Sequence, residues 1–242
     1  MARARRIPLV FLSAVVVATI CSAAACRRDS PPVPRQTESI PDPGQLPADA
    51  KKVIVFLGDS VTVGYGLTLT QAFPLRIQDM FHAEGYNEIE VLNAGATGDT
   101  TAGALRRVEQ LIEPNVKILV VALGGNDALR GLSTTQTREN VKAIIEGAQA
   151  RGVAVMLAGM EAPPNLGEDY QAAFRAAFAQ LARDYRGSIS YMPFLLEGVA
   201  GNPSLNQADG IHPNEQGARI IADHLYPRLR DMVDQLPQPG AG

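Results

Sequence analysis

Val53-Ile54-Val55-Phe56-Leu57 is an unbroken apolar run, mostly β-branched, closed by Gly58-Asp59-Ser60. Consecutive apolar residues without polar alternation suit a strand buried on both faces, as in a parallel sheet covered by helices. Similar runs recur at 89–92, 118–123, 153–157 and, more weakly, 189–192. Helical periodicity fills the gaps, over roughly 71–84, 101–113, 134–151, 168–186 and 214–234. Thr100-Thr101 can cap the second of these helices, and Gly152 after Arg151 can stop the third. Strand and helix alternate throughout, which predicts an α/β domain with a doubly wound parallel sheet and right-handed crossovers.

In such a sheet, ligands bind beyond the carboxyl ends of the strands. Ser60 follows the first predicted strand, Gly95-Ala96-Thr97-Gly98-Asp99-Thr100 the second, and Gly124-Gly125-Asn126-Asp127 the third. Asp209-Gly210-Ile211-His212-Pro213 precedes the last helix, with Pro213 suited to its first turn. Four separate loops therefore converge on one edge, and their residue types are complementary.

A serine hydroxyl is a weak nucleophile unless a base removes its proton during attack. Ser60 by itself reads equally as a turn or capping serine, and His212 by itself as a packed histidine. Asp209 stands three residues before His212 in a turn containing Gly210, so its carboxylate can reach Nδ1, fix the tautomer and aim Nε2 outward. An oxyanion needs preorganised donors. Gly98 offers a backbone N–H without a side chain in the way, Asn126 a carboxamide N–H, and Ser60 its own N–H. Glycines and Asn-Asp pairs in loops usually make turns, and only the shared edge favours the catalytic reading.

The chain has 242 residues, and its first 25 read as an export signal. Arg3, Arg5 and Arg6 precede an uncharged run over 8–20, and Ser22-Ala23-Ala24-Ala25 supplies small residues for cleavage. That run falls short of the roughly 20 residues a membrane-spanning helix requires, although an uncleaved anchor is the alternative reading. Both cysteines, Cys21 and Cys26, lie here, so no disulfide is expected in the folded region. Ala23-Ala24-Ala25-Cys26 resembles a bacterial lipoprotein signal, with alanine where the pattern prefers leucine at 23. Acylation of Cys26, with membrane contact through that lipid, is one reading; cleavage before an incidental cysteine is the other. Residues 26–50 are polar and rich in proline, which predicts an extended tether ahead of a single domain over 51–242.

Without the three signal arginines the formal net charge moves from −3 to −6, and the domain holds no basic cluster beyond Arg106-Arg107. A nucleic-acid partner is disfavoured. No Cys/His spacing suits a metal; His82 and His224 stand apart.

These motifs, taken in order, resemble the SGNH (GDSL) hydrolases, in particular bacterial arylesterases and the thioesterase I/lysophospholipase type. The resemblance spans most of 53–228, adding Leu129-Arg130-Gly131-Leu132, Ala162-Pro163-Pro164-Asn165 and Pro193-Phe194-Leu195-Leu196 to the four motifs above. It implies a flavodoxin-like three-layer α/β/α sandwich that needs no cofactor or metal. It further implies a Ser60–His212–Asp209 triad, with Ser60, Gly98 and Asn126 as the oxyanion hole. Asp127, Leu129 and Arg130 are then expected in a substrate loop. Val61-Thr62 departs from the family's Leu-Ser after the nucleophile.

The expected activity is hydrolysis of small-molecule or lipid carboxylic esters, with short to medium acyl chains and an acyl-Ser60 intermediate. Thioesters and lysophospholipids are expected as side substrates. Deacetylation of envelope polysaccharide would use the same residues, but aromatics make up only 5 % of the chain and mark no sugar groove. A non-catalytic lipid-anchored binding protein would lack a catalytic residue, and none is missing.

Overall fold

The structure is a computed structural model that describes residues 52–236. The expected export signal, Cys26 and the proline-rich stretch lie outside the described residues. Five strands form one sheet: β1 (Lys52–Gly58), β2 (Ile89–Gly95), β3 (Val116–Ala122), β4 (Ala154–Ala158) and β5 (Ile189–Met192). All pair in parallel, in the order β2-β1-β3-β4-β5. Every residue of β1 is buried, as its unbroken apolar run requires of a central strand.

Among the described residues, seven α-helices connect and flank the strands: α1 (Ser60–Val63), α2 (Phe73–Ala83), α3 (Thr101–Arg107), α4 (Gly125–Leu129), α5 (Thr134–Gln149), α6 (Glu168–Asp184) and α7 (Glu215–Asp234). The helix α2 packs against α7, while α5 packs against α3 and α6. Right-handed crossovers put these two groups on opposite faces, because the chain moves one way across the sheet from β1 to β2 and the other way from β2 onward. The result is a three-layer α/β/α sandwich.

The core lies between these layers. Phe56 of β1 meets Phe73 of α2 edge-to-face at 5.7 Å, and Phe174 lies 5.4 Å from Phe178 along α6. Each such fully buried side chain stabilises the fold by about 1.5–3 kcal/mol. The helix expected over 101–113 is shorter than its apolar pattern: after Arg107 it tightens into a 3₁₀ turn over Val108–Leu111, ahead of Pro114.

The sheet order reverses direction at β1 and β3, the place where open α/β sheets bind ligands. Strand register brings the loops level there, since Gly58 pairs with Gly95 on one side and with Ala122 on the other. Ser60, Gly98 and Asn126 thus start from the same height, two, three and four residues past their strand ends.

Candidate active site

Ser60 is the first residue of α1, a single turn capped by Asp59, whose side chain accepts from Val61 N–H at 3.0 Å. The turn ends at Gly64, which takes the left-handed φ of 77° and reverses the chain. Gly58 is required for a different reason. A Cβ there would fall 1.9 Å from Thr62 Oγ1, so threonine at 62 in this position leaves room only for glycine at 58.

His212 Nε2 lies 2.9 Å from Ser60 Oγ, and His212 Nδ1 lies 2.7 Å from Asp209 Oδ2. The second carboxylate oxygen of Asp209 accepts the backbone N–H groups of Ile211 (2.9 Å) and His212 (3.0 Å). Burial works against ionisation of Asp209. The hydrogen bonds from the imidazole and these two N–H groups outweigh it and hold the carboxyl below its usual range. An ionised carboxylate only accepts, so it keeps the proton on Nδ1 and leaves the Nε2 lone pair facing the serine hydroxyl. The ring of Tyr65 lies 4.7 Å from the imidazole.

The loop that carries His212 is braced by a residue the sequence does not single out. Gln207 N–H donates to His212 O at 2.8 Å, and Gln207 Nε2 donates to Pro213 O at 2.9 Å and to Tyr65 O. Asn214 then caps α7 through Gly217 N–H at 3.0 Å. One amide side chain therefore joins the histidine loop to the loop after the serine. A glutamine in a polar loop carries no sequence signal of such a role.

On the other side of the serine, Asn126 lies in α4, and its Nδ2 donates to Asp59 Oδ2 at 3.3 Å. Gly98 has a φ of 77°, and its carbonyl accepts from the Arg130 guanidinium at 2.9 Å, which links the loops after β2 and β3. Arg107 fastens the same edge from beneath. It donates to Ala94 O, Gly58 O and the Asp99 carboxylate, at 2.8, 3.1 and 2.9 Å.

Of the three residues expected in the substrate loop, Leu129 and Arg130 are exposed. Asp127 is not: it is 2 % exposed. Its carboxylate accepts from Thr101 N–H (2.9 Å), the Thr101 hydroxyl and the Thr137 hydroxyl (3.3 Å), and Asn140 donates to Thr101 Oγ1 at 3.0 Å. Asp127 thus anchors α4 to α3 and α5 instead of facing a ligand. A faint signal exists in the sequence, because Thr137 and Asn140 interrupt the otherwise apolar buried stripe of α5.

A hydroxyl aligned with an imidazole and a carboxylate, at the switch point of a flavodoxin-like sheet, defines the class: a serine hydrolase on an α/β/α sandwich. The chain belongs to the GDSL-like Lipase/Acylhydrolase family, whose pattern it matches over residues 56–220. It is 35 % identical to Esterase TesA of Pseudomonas aeruginosa over 185 residues, covering 76 % of this chain and 90 % of that protein. With the Thioesterase 1/protease 1/lysophospholipase L1 of Escherichia coli (strain K12) it shares 32 % identity over 188 residues, 77 % and 88 % of the two chains. Among solved structures, the psychrotrophic esterase EstA from Pseudoalteromonas sp., inhibited by monoethylphosphonate, superposes with a TM-score of 0.69 at 30 % identity, covering 76 % of this chain and all of that one. The chain is an esterase of this family, a serine hydrolase acting on carboxylic ester bonds.

Proposed function

We propose that hydrolysis runs through an acyl-Ser60 intermediate, with His212 as base and acid, Asp209 as its orienting carboxylate, and Ser60 N–H, Gly98 N–H and the Asn126 carboxamide holding the oxyanion. The observation that carries this reading is the unbroken line Asp209 Oδ2, His212 Nδ1, His212 Nε2, Ser60 Oγ, with links of 2.7 and 2.9 Å. Ser60 Oγ attacks the ester carbonyl as its proton passes to His212 Nε2. The tetrahedral intermediate collapses, the C–O bond to the alcohol breaks, and His212 returns the proton to the leaving oxygen. Water then attacks the acyl-serine, with the same nitrogen taking its proton and returning it to Ser60 Oγ. EstA, the relative inhibited by a phosphonate, suits this chemistry, because a tetrahedral phosphonate has the shape of such an intermediate.

The substrates we assign are carboxylic esters of short to medium acyl chains with aryl or alkyl leaving groups. Three large apolar side chains in the loops and short helix that carry the site residues, Tyr65, Leu129 and Ile211, are exposed, which suits an acyl chain held at the open surface. Lysophospholipids and thioesters follow as side substrates, in line with the name of the Escherichia coli relative. The test is turnover of p-nitrophenyl acetate, butyrate and octanoate by the wild type and Ser60→Ala. Activity that disappears in the variant supports the acyl-serine route, and retained turnover overturns it.

The N-terminal 25 residues add export to this reading, and Cys26 adds acylation and a membrane tether. Cys26→Ser is expected to move the protein from the membrane to the soluble fraction; unchanged fractionation would exclude the lipid.

A further inference from the structure

The mechanism above gives no task to the buried carboxyl group next to the proposed nucleophile. Asp59 sits between Gly58 and the proposed nucleophile and is 2 % exposed. Capping α1 does not explain a carboxylate there, since asparagine or serine caps a helix about as well without burying a charge. The cap uses only one oxygen, Oδ1, which accepts from Val61 N–H at 3.0 Å. The other, Oδ2, accepts from Asn126 Nδ2 at 3.3 Å. Glycine at 125 leaves room for this approach, since a Cβ there would lie a tight 3.1 Å from Asp59 Oδ2.

The chemistry of the two groups sets what this contact does. A carboxamide turns easily about its last torsion, and a half-turn exchanges N–H₂ for C=O. The turned form of Asn126 would present an oxygen to the developing oxyanion and repel it. An ionised carboxylate accepts hydrogen bonds and donates none. It therefore admits Asn126 in one orientation, with one N–H bound to Oδ2 and the other left for the substrate oxygen. We propose that Asp59 is a positioning residue for oxyanion stabilisation, locking the Asn126 carboxamide donor-side toward the substrate from the opposite face to His212. The inference rests on the assignment of Asn126 to the oxyanion hole.

Burial pushes the Asp59 carboxyl up to about 6, against the opposing pull of the Val61 N–H bond and of His212. At pH 8 the group is ionised and accepts only, so that is the pH for the test. Kinetics on p-nitrophenyl butyrate would compare the full chain with Asp59→Asn, Asp59→Ser, Asn126→Ala and both double variants, alongside Ser60→Ala. Asp59→Asn keeps one acceptor for the cap but cannot enforce the orientation. Asp59→Ser keeps a capping oxygen and lacks the second one. Each is expected to lower kcat by about 10- to 100-fold with KM within about twofold, the split expected when an interaction specific to the transition state is weakened. Asn126→Ala alone should lower kcat by about 10²- to 10³-fold. In its background the Asp59 substitutions should change kcat by less than about twofold, because the group they orient is gone.

A kcat within threefold of wild type in both Asp59 variants overturns the inference. So does an equal fold-loss with and without Asn126, which would place the effect elsewhere. Full turnover by Ser60→Ala, or by Asn126→Ala, would remove the underlying assignment of the site instead.

Discussion

The two sides of Ser60 are built on opposite plans. On the base side, Asp209 and His212 are three residues apart in one loop, and the Asp209 side chain is 37 % exposed. Its carboxylate is held by N–H groups of its own turn, with Gln207 tying the loop to Tyr65. On the proposed oxyanion side, Asp59 and Asp127 are each 2 % exposed and, besides the Val61 N–H on Asp59, bind groups 67, 26 and 10 residues away. The carboxylate of one half is held within its own turn; those of the other are held only once β1, β3, α3 and α5 have packed. His212 and Asn126 are both half-buried, so the two sides differ in their anchoring carboxylates: Asp209 is open to water, whereas Asp59 and Asp127 are held in the interior, where their hydrogen bonds act more strongly.

The largest effect should therefore come from a change that leaves the local turn intact and reverses its chemistry. Asp209→Asn can still accept from Ile211 and His212 N–H through its oxygen. Its N–H₂ then faces Nδ1, favouring the tautomer with the proton on Nε2, which cannot take the serine proton. We expect kcat to fall by about 10³- to 10⁴-fold with little change in melting temperature. Kinetics beside a thermal melt checks both, and a loss of fold stability matching the loss of rate would erase the distinction between the two sides.

The same contrast explains what could be read from the sequence. The strand runs, the five expected helices and the Asp209–His212 spacing are short-range patterns, and each corresponds to an element or contact in the fold, the helix after β2 only over its first seven residues. The level ends of β1, β2 and β3 put Ser60, Gly98 and Asn126 on one edge, which was legible because any parallel sheet brings its strand ends to one edge. Asp127 was not legible as an anchor. Gly-Asn-Asp reads as a turn, and its burial depends on Thr101, Thr137 and Asn140, whose pairing needs the tertiary fold. Arg107 illustrates the same limit, since its carbonyl partners Gly58 and Ala94 belong to two different strands. The short helices α1 and α4 also escape periodicity, at four and five residues.

An intermediate effect is expected from the oxyanion side's anchor. Asp127→Ala leaves the Thr101 N–H and hydroxyl and the Thr137 hydroxyl without their buried acceptor, at a cost of about 2–4 kcal/mol. Urea unfolding should show that loss, accompanied by reduced kcat as α4 loosens beneath Asn126. Unchanged stability would mean that the network adds nothing beyond the packing around it.

The smallest effect has the opposite sign, and it concerns the charge at Asp59. The carboxyl titrates at about 6 in the folded protein, above its ordinary 3.8, with burial as the main cause. Between those two values the folded state keeps a proton that the unfolded chain has released. Stability contributed by this group is therefore present below about pH 4 and lost as pH rises through about 6. The full loss is on the order of 1–3 kcal/mol. Asp59→Asn removes the titration. It also weakens the contact with Asn126, but that penalty is common to every pH at which Asp59 is ionised. The difference in urea midpoint, variant minus wild type, should rise between pH 4 and pH 7 and then level off. A variant more stable than wild type at neutral pH, yet slower, would mean that the enzyme tolerates a buried charge for the sake of an oriented amide. A difference that stays flat across this range would show that the carboxylate is accommodated without strain, making the oxyanion side no more demanding to build than the exposed turn opposite it.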